Sequence, residues 1–138
     1  MKVLVDTSVW SLAFRRNPSV NLQDAASVEV LALSKLIDES NAAIVGTIWQ
    51  ELLSGISDSV QFSKLKALIA AFSDEPLSAL DYEFAAACFN ECRATGAQGR
   101  HTDFLICAVA LRQNQPIFTI DKDFLHFAKI IAIRLFLP

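Results

Sequence analysis

The sequence predicts an α/β fold: a parallel central sheet of about five strands flanked by helices. Two observations carry that prediction. Short apolar runs at residues 2–6, 42–47 and 117–120 alternate along the chain with longer stretches of helical periodicity, the pattern of strands joined by crossover helices. The chain is also 138 residues long and 53% apolar, enough to bury one full core. A single domain over residues 1–138 is therefore expected.

Each element has its own signal. Residues 2–6 place Val3, Leu4 and Val5 ahead of Asp6, a short buried strand ending on an acid. Residues 8–15 carry a brief helical pattern that Asn17-Pro18 terminates. Leu22, Ala26, Val30, Leu33 and Ile37 recur at helical spacing, which predicts a helix over 22–39. Residues 42–47 (AAIVGT) form a second strand that leads into a helix over 48–56. Phe62, Leu65, Ile69 and Phe72 give a helix over 59–72.

The second half continues the alternation. Residues 76–80 (PLSAL) predict a weak third strand, and Asp81 an N-cap for a helix over 82–95 that Gly96 and Gly99 break. Thr102 or Asp103 starts a helix through Gln113, and Pro116 stops it. Residues 117–120 give a fourth strand, 121–128 a helical turn and 130–136 a last strand.

Composition excludes several function classes. The longest relevant apolar run, residues 104–111, is too short to span a bilayer. Asp6 interrupts the N-terminal apolar run before it can act as a signal peptide, so a cytoplasmic protein is expected. Cys88, Cys92 and Cys107 lack further ligands at zinc spacing and read as small buried residues in a reducing compartment. The four glycines, at 46, 55, 96 and 99, form no phosphate-cradling loop. With a net charge of −3 and a pI near 5.3, the chain cannot grip nucleic acid by bulk charge. Any such chemistry needs local basic groups, a metal or a second subunit.

Four acids are placed differently from the rest. Asp6 ends the first strand, and Asp121 ends the fourth in Phe118-Thr119-Ile120-Asp121. Glu51 lies early in the helix after the second strand, and Asp103 at the start of its own helix. In parallel α/β sheets the ligand site lies beyond the carboxyl ends of the strands, so these acids are expected at one edge. Singly, each has an ordinary role: Asp6, Asp103 and Asp121 as helix caps, Glu51 as an exposed helix residue. Together, unpaired carboxylates would raise one another's pKa and destabilise the fold.

A divalent ion removes that repulsion, and an all-oxygen ligand set suits Mg²⁺ or Mn²⁺. Such a site can activate water and neutralise phosphate charge in an in-line displacement, with one ion or two. Thr7, Ser8 and Thr119 add hydroxyls that could orient carboxylates or water, although Ser8 is equally a helix cap.

These residues resemble the PIN-domain ribonucleases, and the VapC toxins of toxin–antitoxin pairs in particular. The resemblance rests on Val3-Leu-Val-Asp6-Thr-Ser8, Glu51-Leu-Leu-Ser-Gly55, Asp103-Phe-Leu-Ile-Cys-Ala-Val-Ala-Leu111 and Phe118-Thr-Ile-Asp121-Lys-Asp123-Phe124, in that order over essentially the whole chain. It implies a PIN-like fold with Asp6, Glu51, Asp103 and Asp121 in the catalytic cluster. Asp6 and Asp103 would be the principal metal ligands, with Glu51 and Asp121 binding directly or through water. It also implies Mg²⁺- or Mn²⁺-dependent endoribonuclease activity leaving a 5′-phosphate and a 3′-hydroxyl. A homodimer and a cognate antitoxin whose tail enters the site complete the expectation. Asp123 matches a further acid of the motif or caps the turn. Cys107 departs mildly, standing where alanine is more usual.

Positive charge to meet RNA would come from Arg15, Arg16 and Arg100, and His101 lies two residues from Asp103. Trp10, Phe14 and Trp49 belong either to the core or, if exposed together, to an antitoxin groove. Two competing readings exist: a receiver-type phosphoacceptor domain, for which Lys122 is the candidate lysine, and a PIN-like RNA-binding module without catalysis.

Overall fold

A computed structural model describes residues 1–15 and 27–138, without the side chains of Arg15 and Ser73. Strands β1 (Val3–Val5), β2 (Ala42–Val45), β3 (Ser73–Glu75) and β4 (Ile117–Phe118) form one sheet in the order β3-β2-β1-β4. All the pairings are parallel, with Val3 opposite Ala42, Leu4 opposite Ile117 and Ala43 opposite Ser73. Every residue of β1 and β2 is buried, as a parallel sheet covered on both faces requires. The chain steps from β1 outward through β2 to β3, then returns to pair β4 on the other side of β1. The order therefore switches between β1 and β4, which opens a crevice at their carboxyl ends.

Helices follow the strands closely. Helix α1 (Thr7–Trp10) begins straight after Asp6 and continues as a π-helical turn, Ser11–Arg15. Trp10 is fully buried between Phe14 and Phe72, and its indole N–H donates to the Val5 carbonyl at 3.0 Å. Helix α2 (Val28–Asp38) is capped by Ser27, and α4 (Ser59–Ile69) by Asp58. Helix α3 (Gly46–Leu53) starts directly after β2. Helix α5 (Ala79–Ala94) packs on α6 (His101–Gln113), with Phe89 edge-on to Phe104. Helix α7 (Asp123–Ala128) adds Phe124 and Phe127 to the core. Among the described residues no helix is long and apolar enough to cross a membrane.

Several expectations shift. The third strand lies at Ser73–Glu75, not at 76–80. Its polar residues pair with β2 through the backbone ladder, while Pro76 has no N–H to continue it. Asp81 is not an N-cap. It sits in the first turn of α5 and accepts from the Ser78 N–H at 2.9 Å, so the helix begins earlier. The run 130–136 makes only one bridge, Leu135 to Ile117, held by backbone bonds from Ile117 N to Arg134 O and from Phe136 N to Ile117 O. That bridge stands where a fifth strand was expected.

Trp10 and Phe14 are core residues and Trp49 packs partly against the core, so these three do not form an exposed groove. The three cysteines are free and buried. Burial pushes the Cys88 thiol up to about 11, with Cys92 and Glu91 adding to the shift. The first part of the helix expected over 22–39 lies outside the described residues, as does Arg16.

Candidate active site

The carboxyl end of β1 delivers Asp6 into the crevice between β1 and β4, where its N–H donates to the Phe118 carbonyl at 2.9 Å. One carboxylate oxygen, Oδ2, is fully engaged. It accepts from the Ser8 hydroxyl at 2.7 Å, the Thr119 hydroxyl at 2.9 Å and, more weakly, the Ser8 N–H at 3.4 Å. Thr119 in turn accepts from the Asp121 N–H at 3.0 Å, and Ser8 Oγ from the Ile120 N–H at 3.1 Å. Three residues of the β4 exit and Ser8 of α1 are thereby locked around one carboxylate. The other oxygen, Oδ1, is buried and has no hydrogen-bond partner among the described residues. Burial raises the Asp6 pKa above the ordinary carboxylate range, against the lowering effect of the Ser8 and Thr119 hydrogen bonds.

Glu51 comes from the second turn of α3, and its Oε2 accepts from the Thr7 hydroxyl at 2.9 Å. Asp103 occupies the third position of α6. Its Oδ2 accepts from the Arg100 N–H at 3.0 Å, an arrangement that satisfies an otherwise unpaired helix N-terminal donor. Burial raises its pKa, the Arg100 bond and charge oppose the rise, and the charges of Asp6 and Asp121 add to it. Asp121 accepts from the Asp123 N–H at 2.9 Å, capping α7 while still facing the crevice.

The crevice is a cleft of about 560 Å³, lined by Asp6, Thr7, Ser8, Glu51, Arg100 and Asp121, among others. Asp103 lies just beneath it, buried but close enough to feel the Asp6 and Asp121 charges. All four acids singled out from sequence thus converge on one place. Asp123 does not; it borders a separate hollow beside His126 and Lys129. His101 turns away as well and stacks on Phe89, ring centroids 5.0 Å apart. Of the basic candidates, Arg100 reaches the cluster, with Nη2 3.4 Å from Asp103 and 3.6 Å from Glu51.

Two residues on the cleft were not anticipated, Thr47 of α3 and Thr102 of α6. Their hydroxyl oxygens, like Asp6 Oδ1, are buried without a hydrogen-bond partner among the described residues. Buried polar atoms are nearly always satisfied, and three of the four unpartnered ones among the described residues belong to residues of this cleft. The available signal was position: Thr47 follows β2 by two residues, and Thr102 directly precedes Asp103.

The donor chemistry suits a hard divalent ion, with carboxylate and hydroxyl oxygens and no sulfur or imidazole. As the side chains stand, no three His, Cys, Asp or Glu groups among the described residues close around a common point. The Arg100 guanidinium sits between two of the acids instead. The ligand set therefore fits the ion in kind, and closing it requires side-chain movement.

Comparison with known proteins agrees with this fold. The fold is similar to VapBC2 from Rickettsia felis bound to a DNA fragment from its promoter (TM-score 0.76, 19% identity, covering 99% of this chain and 98% of that one). It is similar to FitAcB from Neisseria gonorrhoeae (TM-score 0.72, 19% identity, covering 99% and 97%). A toxin–antitoxin complex from Klebsiella pneumoniae matches too (TM-score 0.67, 20% identity, covering 89% and 90%). At these identities the likeness is one of fold. No curated protein matches the sequence. The model of the PIN domain matches residues 3–130, which displaces the receiver-type reading, as does the engagement of Asp81 by Arg112. Matched over nearly its whole length, the chain belongs to the PIN-domain family.

Proposed function

We propose that this chain is a Mg²⁺- or Mn²⁺-dependent endoribonuclease and the toxin of a VapBC-type toxin–antitoxin pair. The observation that carries the proposal is the convergence of Asp6, Glu51, Asp103 and Asp121 on one cleft around a buried, unpartnered Asp6 oxygen. Asp6 and Asp103 would hold the ion, with Glu51 and Asp121 closing the set directly or through water. When bound, the ion supplies charge neutralisation at the scissile phosphate and activation of water for in-line attack.

The protein's own groups do the positioning. Ser8 and Thr119 fix Oδ2 of Asp6, which leaves Oδ1 as the carboxylate oxygen without a hydrogen bond among the described residues. Thr7 orients Glu51 through its hydroxyl. Arg100, exposed on the rim, offers a planar guanidinium to a phosphate. The net negative charge gives weak non-specific affinity, so target recognition depends on shape and the site itself.

The antitoxin partner is inferred from the fold relatives, one of which is a toxin–antitoxin complex. Exposed Val60, Phe62 and Leu68 on α4 supply apolar surface for such a partner. Leu80, Tyr82 and Phe84 on α5 supply it for a homodimer. A cytoplasmic setting follows from the substrate and suits the three free thiols.

The test is sequencing of RNA 5′ ends after induced expression in cells, with Asp6→Asn as control. New, discrete 5′-phosphate ends with wild type alone support the proposal. Identical end profiles for the two proteins would favour an RNA-binding module without catalysis.

A further inference from the structure

We propose that Arg100 is a built-in counter-ion of the acidic cluster, one that competes with the divalent ion for Asp103 and Glu51. The inference rests on the metal-dependent reading above and adds a step to it. A single nitrogen, Nη2, lies 3.4 Å from Asp103 Oδ1 and 3.6 Å from Glu51 Oε2, bridging acids on α6 and α3. Other ion pairs among the described residues, Lys35 with Glu39 and Arg112 with Asp81, lie elsewhere in the molecule. Arg100 is thus the cation within ion-pair distance of the cluster among the described residues.

Its side chain is built to leave. It is 64% exposed, whereas the Asp103 carboxylate it touches is 3% exposed. The main chain of Arg100 stays put independently, because its N–H is bonded to Asp103 Oδ2. Release of the guanidinium therefore costs neither the start of α6 nor the position of Asp103. Asp6 Oδ1 receives nothing from Arg100 in the present arrangement. One guanidinium consequently pairs with two of the four acids and leaves Asp6 Oδ1 without a hydrogen bond among the described residues. A divalent ion would bring twice the charge, and Arg100 would have to withdraw before Asp103 and Glu51 could turn to hold it. The freed guanidinium then stands at the cleft rim, where phosphate arrives, and can bond it in a bidentate manner.

Calorimetric titration with Mn²⁺ alone, on wild type and Arg100→Gln, tests the competition, together with melting of both proteins without metal. The expected result is Mn²⁺ binding about fivefold tighter in Arg100→Gln, the size of one partly exposed ion pair. Metal-free Arg100→Gln should also melt below metal-free wild type, and the two should converge at saturating Mn²⁺. Equal or weaker Mn²⁺ binding by Arg100→Gln, with clear binding by wild type, would overturn the competition and leave the metal site standing. Absence of Mn²⁺ binding by both proteins would overturn the competition and the metal-dependent reading alike.

Discussion

Thr119, just past β4, donates its hydroxyl to Asp6 Oδ2 at 2.9 Å, a contact between residues 113 positions apart that ties the exits of β1 and β4 together. The Thr119 hydroxyl oxygen also accepts from the Asp121 N–H. Thr119→Val keeps the shape and loses both bonds. Stability should fall by about 1–2 kcal/mol in denaturant unfolding, and RNA cleavage should fall with it. Thr119→Ser should restore both, because the hydroxyl rather than the methyl does the positioning.

Asp6 and Asp81 are both buried acids, and their substitutions should act with opposite sign. Among the described residues Asp6 has an unpartnered oxygen and no salt bridge. Asp81 is bonded to Arg112, which also donates to the Pro76 carbonyl at 3.1 Å. In metal-free protein, Asp6→Asn should raise the melting temperature. Asp81→Asn should lower it, at a cost of about 1–2 kcal/mol for a pair with one partly exposed partner. Thermal melts in chelator give the comparison; a loss in both variants contradicts the assignment of Asp6.

The pH profile follows from the same contrast. Burial holds the Asp6 and Asp103 pKa values above the ordinary carboxylate range, so the native state takes up protons there that the unfolded chain does not. Their contribution to stability then rises as pH falls from the raised native values toward that range. At Asp81 burial works upward, but Arg112 and Ser78 prevail and hold the pKa below its ordinary value. Its contribution is full above the ordinary range and lost as pH falls through the native value. Metal-free protein should therefore melt higher as pH drops from neutral, then lower once Asp81 protonates. Saturating Mn²⁺ should add less stability as pH falls, since ions bind ionised carboxylates. A metal-free melting temperature that declines steadily from neutral contradicts this.

Gly99 precedes Arg100, and a Cβ there would run into the Phe127 and Phe104 rings. Both rings are buried, so neither can swing clear. Gly99→Ala should cost about 1–3 kcal/mol by overpacking and should displace the segment that carries Arg100. The check is denaturant unfolding paired with Mn²⁺ titration; unchanged values in both would show that the rings yield freely.

The site was more legible in the sequence than the sheet edges. Asp6, Glu51 and Asp121 lie shortly after strands, and strand ends in a parallel sheet share an edge, so order alone brings them together. Asp103 comes from a helix start, where its bond to the Arg100 N–H explains its position as well as any ligand does. The third strand was misplaced because Ser73-Asp74-Glu75 carries no apolar pattern; its strand character comes from backbone pairing to β2. The run at 130–136 has strand composition yet meets Ile117 at a single bridge. Thr47 and Thr102 went unnoticed because an unpartnered hydroxyl is a three-dimensional property with no sequence pattern. The bridging position of Arg100 between α3 and α6 depends on tertiary placement in the same way.

The most direct test is cleavage of a 5′-labelled single-stranded RNA by purified protein, with Mn²⁺ and with chelator, for wild type, Asp6→Asn and Asp103→Asn. Wild type should cut only with Mn²⁺, leaving 3′-hydroxyl and 5′-phosphate ends. Both variants should stay folded by circular dichroism and lose cleavage by about two orders of magnitude or more, the loss typical when a group that stabilises transition-state charge is removed. Full cleavage by folded Asp6→Asn, or undiminished cleavage in chelator, would contradict the assignment of this cleft as a metal-dependent nuclease site.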